Sequence, residues 1–288
     1  MHICALTEQK IIGSMLRGTN ANIQNHLAAI DPCFDCASAL AAVLSNESYS
    51  IGDVTLTIVM QRIETIASII VNPDQKGIIF AMMGEIYAIK QEHLLSERYY
   101  RKALQHVSNL PSTSVLAGSI LVNLANIYQD RGEFAQAIQT LEQAIVSYQN
   151  SREFTGQAEA WGNLANVYQD SQEHVKAVQA RLKSINLYEA VGDIAAQADG
   201  LSSLALIYAD QHEYQLAIKT CQRSAALLEH GIPSGQIAQT LNNLGIILRE
   251  AGEVDGALSI LLIAQSLALR SNQTKLSSII LQNINSLN

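Results

Sequence analysis

The chain has 288 residues, of which 48% are hydrophobic and 15% charged, with a formal net charge of −8 and a pI of about 5.3. So much apolar material with so little charge excludes an unfolded chain and suffices for a sizeable core. An acidic chain without a basic stripe is not expected to bind nucleic acid.

The opening, Met1 to Leu16, lacks a basic stretch followed by a long apolar run, so it is not expected to act as a secretory leader. Residues 1–34 match no pattern and stay unassigned. The most apolar stretch, Val54 to Val71, is interrupted by Gln61, Arg62 and Glu64. It falls short of the ~18 uninterrupted apolar residues of a membrane span, so insertion is not expected. Residues 35–72 read instead as one degenerate helix hairpin. The four cysteines form no disulfide framework, and a cytoplasmic location is the expectation.

From Gly77 onward the chain repeats itself. NLANIYQD at Asn123 to Asp130 returns as NLANVYQD at Asn163 to Asp170, 40 residues later. SLALIYAD from Ser203 and NLGIILRE from Asn243 keep the interval, and MMGEIYAI from Met82 precedes the first copy by 41. A fixed period of this size marks stacked supersecondary units. Five units are expected over 77–272, starting near 77, 118, 158, 198 and 238.

With Gly118 as position 1 of a unit, positions 4, 7, 8 and 11 fall on one helical face. Position 8 is Gly84, Ala125, Ala165, Ala205 and Gly245, always small; position 11 is Tyr87, Tyr128, Tyr168, Tyr208 and Leu248. A turn follows, spelled RGE, SQE, QHE and AGE at residues 131, 171, 211 and 251. The second helix carries Ala137, Ala177, Ala217 and Ala257 at position 20. Small residues at 8 and 20 predict close antiparallel helices, with the tyrosine ring filling the space beside them. Such a hairpin covers its apolar face only by stacking on the next one. Pro32, Pro73, Pro111 and Pro233 fall between hairpins, where a helix breaker belongs. Residues 274–288 read as a lone polar capping helix, with Leu281 and Ile284 inward.

Large residues at position 4, Leu at 7, Gly/Ala at 8, Tyr at 11 and Ala at 20 and 27 (Ala103, Ala144, Ala264) resemble the tetratricopeptide repeat. The 40-residue period is similar to its longer-helix branch, which includes kinesin light chains, spindle-orienting G-protein regulators and bacterial peptide receptors. The third unit departs, with Arg181 at position 24 and Ser184 at 27. The resemblance implies an all-α, right-handed superhelical solenoid of about six hairpins plus the capping helix. It also implies that first helices line a concave groove for a protein or peptide, with positions 2, 5, 9, 12 and 13 towards the ligand.

Packing does not account for the polar residues on that face. They are Asn123, Asn126 and Asp130 in the second unit, and Glu159, Asn163, Asn166 and Asp170 in the third. Asp199 and Asp210 follow in the fourth, and Asn243 and Glu250 in the fifth. Asn costs a helix roughly half a kcal/mol against Ala, so its recurrence asks for a reason. One reason is recognition: an amide both donates and accepts, which suits an extended backbone. First helices about 10 Å apart would grip roughly every third residue of a strand advancing 3.3 Å per residue. The carboxylates predict a preference for basic segments. The other reason is internal: the same groups bond within a hairpin or at inter-repeat loops.

The remaining signals point to no chemistry. Cys33 and Cys36 form a lone CxxC without a second pair or a redox-fold context, and His93, His174 and His212 are a unit apart. Trp161 takes a core position, and no phosphate loop or nucleophile–base motif is present. The chain therefore reads as a binding scaffold, not an enzyme, with no cofactor, metal or catalytic residue expected. The alternative is a sensor whose groove takes a signalling peptide and changes superhelical pitch. Self-association through the poorly matching N-terminal region, giving a homo-oligomer, is left open.

Overall fold

The computed structural model describes residues 37–38, 41, 53–107, 114–228 and 234–287. Residues 1–34 with Cys4, Pro32 and Cys33, and also Cys36, Pro111 and Pro233, lie outside the described residues. Among the described residues the chain forms twelve helices and no strand. Two compact units divide at residue 151.

The first unit holds α1 (Asp53–Ile69), α2 (Pro73–Ile89), α3 (His93–His106), α4 (Ser114–Asp130) and α5 (Phe134–Ser151). The second holds α6 (Phe154–Asp170), α7 (His174–Val191), α8 (Ile194–Asp210), α9 (Tyr214–Leu228), α10 (Ser234–Glu250), α11 (Val254–Arg270) and α12 (Thr274–Asn285). Within them α2 pairs with α3, α4 with α5, α6 with α7, α8 with α9 and α10 with α11, while α12 packs on α11. This is a stack of helix hairpins, the all-α solenoid architecture.

One turn chemistry closes every hairpin. The middle turn residue is left-handed in each: Gln91 (φ 60°), Gly132 (72°), Gln172 (62°), His212 (62°) and Gly252 (84°). The next residue is always Glu, and its N–H donates back to the position-11 carbonyl, as Glu133 does to Tyr128 at 2.8 Å and Glu173 to Tyr168 at 2.7 Å. That bond satisfies a carbonyl the helix end would otherwise leave open. The same Glu starts the second helix, its carbonyl accepting from the position-20 N–H, as Glu133 does from Ala137 at 3.1 Å. At the other boundary, Pro73 opens α2 behind Asn72, whose side chain accepts from the Asp74 and Gln75 amides.

Positions 8 and 20 do face each other: Ser96, at position 20 of the first repeat, donates to the Gly84 carbonyl at 2.8 Å. The space beside them is filled differently from expectation. A Cβ on Gly84 would lie 2.7 Å from the Tyr100 ring, and one on Gly245 would lie 2.5 Å from Leu261. The position-24 side chain therefore takes the room, because it projects from the partner helix directly at position 8. The position-11 tyrosines make other contacts. Tyr87 stacks on Tyr99 with ring centroids 5.4 Å apart, and Arg101 of α3 donates to the Tyr128 hydroxyl of α4 at 3.0 Å.

The capping helix also differs in detail. Leu276 and Ile280 carry its contact with Ala264 and Ala268, whereas Leu281 is 49% exposed. The four-residue spacing of Leu276 and Ile280 sets the buried stripe, and Leu281 lies off it.

Candidate functional site

A cavity of about 330 Å³ opens in the second unit, among the first helices α6 and α8 and the second helix α7. Its floor is the part of the third repeat that departs from the pattern. Position 24 is Tyr100, Leu141, Cys221 and Leu261 in the other repeats, all buried. Here it is Arg181, only 7% exposed. Its guanidinium donates to the Asn166 amide oxygen, while its Nε has no partner. Burial lowers the Arg181 pKa, opposed by the negative charge of Asp199 and by Tyr188.

Ser184, three residues on, is 1% exposed and its hydroxyl is also without a partner. The equivalent Ser224 in α9 solves this by donating to the Ala198 carbonyl at 2.5 Å. Gly162 on α6 makes room for both groups. A Cβ there would lie 3.2 Å from Arg181 Nη1 and 3.3 Å from Ser184 Oγ.

The rim carries the opposite charge. Glu159 of α6 and Asp199 of α8 occupy the same register position 40 residues apart, and both are exposed. Partial desolvation raises the Glu159 pKa, and Glu153 adds to the shift. Tyr188 closes one side, its hydroxyl pushed up to about 12 by burial, with the charge of Glu159 next. Asn163 and Ser203 complete the polar lining.

Of the residues expected on the ligand face, Glu159, Asn163, Asn166 and Asp199 come together here. Asn166 is turned into its own hairpin by Arg181. Two others tie neighbouring first helices: Asp210 accepts from Gln169 at 2.6 Å, and Asn243 donates to Ser202 at 3.0 Å. Asp170 and Glu250 are exposed at the ends of α6 and α10 and do not line the cavity. Asn123, Asn126 and Asp130 lie on α4 in the first unit, where Asn123 and Asp130 are exposed.

Sequence reasoning left out Arg181, Ser184 and Tyr188. The signal for the first two was present as the broken pattern at positions 24 and 27. Trp161, expected in the core, is half-buried, with Lys183 Nζ 3.9 Å from its ring centroid. Among the described residues no group of His, Cys, Asp and Glu is placed to hold a metal, and no helix is long and apolar enough to cross a membrane.

The tetratricopeptide repeat family model matches residues 78–150 and 195–268, half of the chain. This is a tetratricopeptide repeat protein. No curated protein matches it in sequence. Among solved structures, BtubC (BKLC) from P. vanneervenii superposes with a TM-score of 0.59 at 18% identity, over 83% of this chain and 91% of that one. The apo form of RapI gives 0.61 at 15% identity, over 81% and 90%. A Rap protein complexed with Competence and Sporulation Factor gives 0.61 at 11% identity, over 100% and 86%. At such identities the tetratricopeptide repeat protein shares their fold, and the likeness says no more.

Proposed function

We propose that this tetratricopeptide repeat protein is a scaffold that binds a polypeptide segment across α6, α8 and α10, preferring segments with Lys or Arg. The observation that carries this is the pairing of Glu159 and Asp199. Both are exposed, and both face one cavity with Asn163. Exposed Asp170, Asp210 and Glu250 at the ends of the same helices extend the negative face. Carboxylates gathered on one surface raise the local concentration of cationic partners. The Rap protein complexed with Competence and Sporulation Factor supports the reading by analogy, as a similar fold with a bound partner.

The amides serve a narrower role than the sequence suggested. Asn163 remains to grip a ligand, while Asn166 and Asn243 position neighbouring groups. A peptide array probed with the purified chain tests the reading. Lys- and Arg-containing peptides should dominate, and Glu159→Gln with Asp199→Asn should weaken them by about tenfold, as loss of charge-assisted hydrogen bonds does. Binding dominated by acidic peptides would refute it.

A further inference from the structure

At two register positions α7 gives up what the repeat supplies elsewhere. Leu141 and Ala144 in α5, and Leu261 and Ala264 in α11, correspond to Arg181 and Ser184. A buried guanidinium offset only by the charge of Asp199 on the exposed rim remains costly, and unpartnered donors add to the cost. The hairpin has an apolar solution for both positions in two other copies, so packing requires neither residue. Arg181 and Ser184 line a cavity with no apolar side chain larger than alanine except the Tyr188 ring.

We propose that this cavity binds a free polar α-amino acid as its zwitterion. The ligand carboxylate accepts from the Arg181 guanidinium and the Ser184 hydroxyl, and its ammonium lies against Glu159 and Asp199. The signs of charge decide the class. A phosphate would face two carboxylates, and a simple cation would sit over a buried guanidinium. A ligand carrying both charges a few bonds apart matches floor and rim together. Size agrees: about 330 Å³ lies at the small end of the roughly 300–1,000 Å³ range of ligand sites and suits a single residue. The polar walls select a polar side chain. The inference shares the rim carboxylates with the proposed polypeptide binding and adds the floor that α7 contributes, so variants of that floor separate the two.

Calorimetric titration of the full chain with each free L-amino acid provides the test. The tightest should be polar, with a Kd at or below about 1 mM. Its N-acetyl and α-amide derivatives should each bind at least about tenfold more weakly, because each removes one charge-assisted contact. Arg181→Leu with Ser184→Ala installs the residues found in α5 and α11. That variant should lose binding at least about tenfold while melting at the same or a higher temperature. Three results would overturn the proposal: no amino acid binding below about 10 mM, capped derivatives binding as well as the free acid, or the double variant binding like wild type. A peptide ending in the same residue that binds more tightly than the free amino acid would also overturn it, in favour of a chain-terminus site. Should the double variant fail to fold, Ser184→Ala alone and the capped ligands on wild type decide.

Discussion

Position 8 is Ala in three hairpins and Gly in two, so Gly84→Ala looks harmless. On helix propensity alone it would stabilise α2 by about 1 kcal/mol. The geometry reverses that sign. The new methyl would lie 2.7, 2.8 and 2.9 Å from three ring atoms of Tyr100, about 0.7 Å inside the shortest ordinary contact of 3.4 Å. The ring is 2% exposed, and the Gly84 carbonyl is held by Ser96 at 2.8 Å, so neither side yields easily. Overpacking costs about 1–3 kcal/mol, and a clash with the face of a buried ring belongs at the upper end. The net expectation is a loss of about 1–2 kcal/mol. Tyr100→Leu relieves the clash, since Leu141 coexists with Ala125 at the same two positions in the next hairpin. In that background Gly84→Ala should be neutral or stabilising, giving a coupling energy of about 2 kcal/mol. Urea midpoints by circular dichroism for the four chains measure it. A higher midpoint for Gly84→Ala with Tyr100 intact, or a coupling indistinguishable from zero, would refute the packing argument.

The turns and a buried thiol give two more predictions. Gly132→Ala puts a side chain at φ 72° and should cost about 1 kcal/mol, whereas Gln172→Gly relieves a non-glycine residue at φ 62° and should cost nothing. Thermal melts that show equal losses for the two would contradict the left-handed-turn account. Burial pushes the Cys221 thiol from its ordinary 9.0 up to about 12. The folded chain then holds a proton that the unfolded chain releases, so this contribution is complete below pH 9 and is lost as pH rises towards 12. Urea midpoints from about pH 8 to about pH 11 should fall more steeply for wild type than for Cys221→Ala. Parallel profiles would rule the assignment out.

The hairpins were legible in the sequence because each one solves the same local problem. Small residues at 8 and 20, a left-handed turn residue and a following Glu recur whatever lies on the next helix. The polar row was less legible because each amide answers to a neighbour that changes. Asn123, Asn163 and Asn243 share one register position and have three fates: an exposed place on α4, a place in the cavity, and a tie to Ser202. Position 5 shows why, being Val122, Gly162, Ser202 and Asn242 in successive repeats. Only Ser202 offers Asn243 a hydroxyl, and only Gly162 leaves an opening above α7. Periodicity reports what the repeats share, whereas hydrogen-bond partners depend on where they differ.

Those differences divide into two kinds, and the division is physical. Tyr100 departs from the leucine of Leu141 and Leu261, yet its surroundings compensate: Gly84 makes space for the ring, and its hydroxyl is not among the buried groups left unpartnered. Such a departure is a packing variant, because every group it introduces is accommodated. Arg181 departs at the same position and also gains space, from Gly162, but its compensation stops halfway. One nitrogen reaches Asn166, while Nε and the neighbouring Ser184 hydroxyl find nothing, although Ser224 shows that a carbonyl partner is available at that register. In a repeat protein each position is its own internal control. A costly residue left only partly compensated among cheaper counterparts is what the proposed ligand would complete, which is why the proposal turns on the floor of α7 rather than on the asparagine row alone.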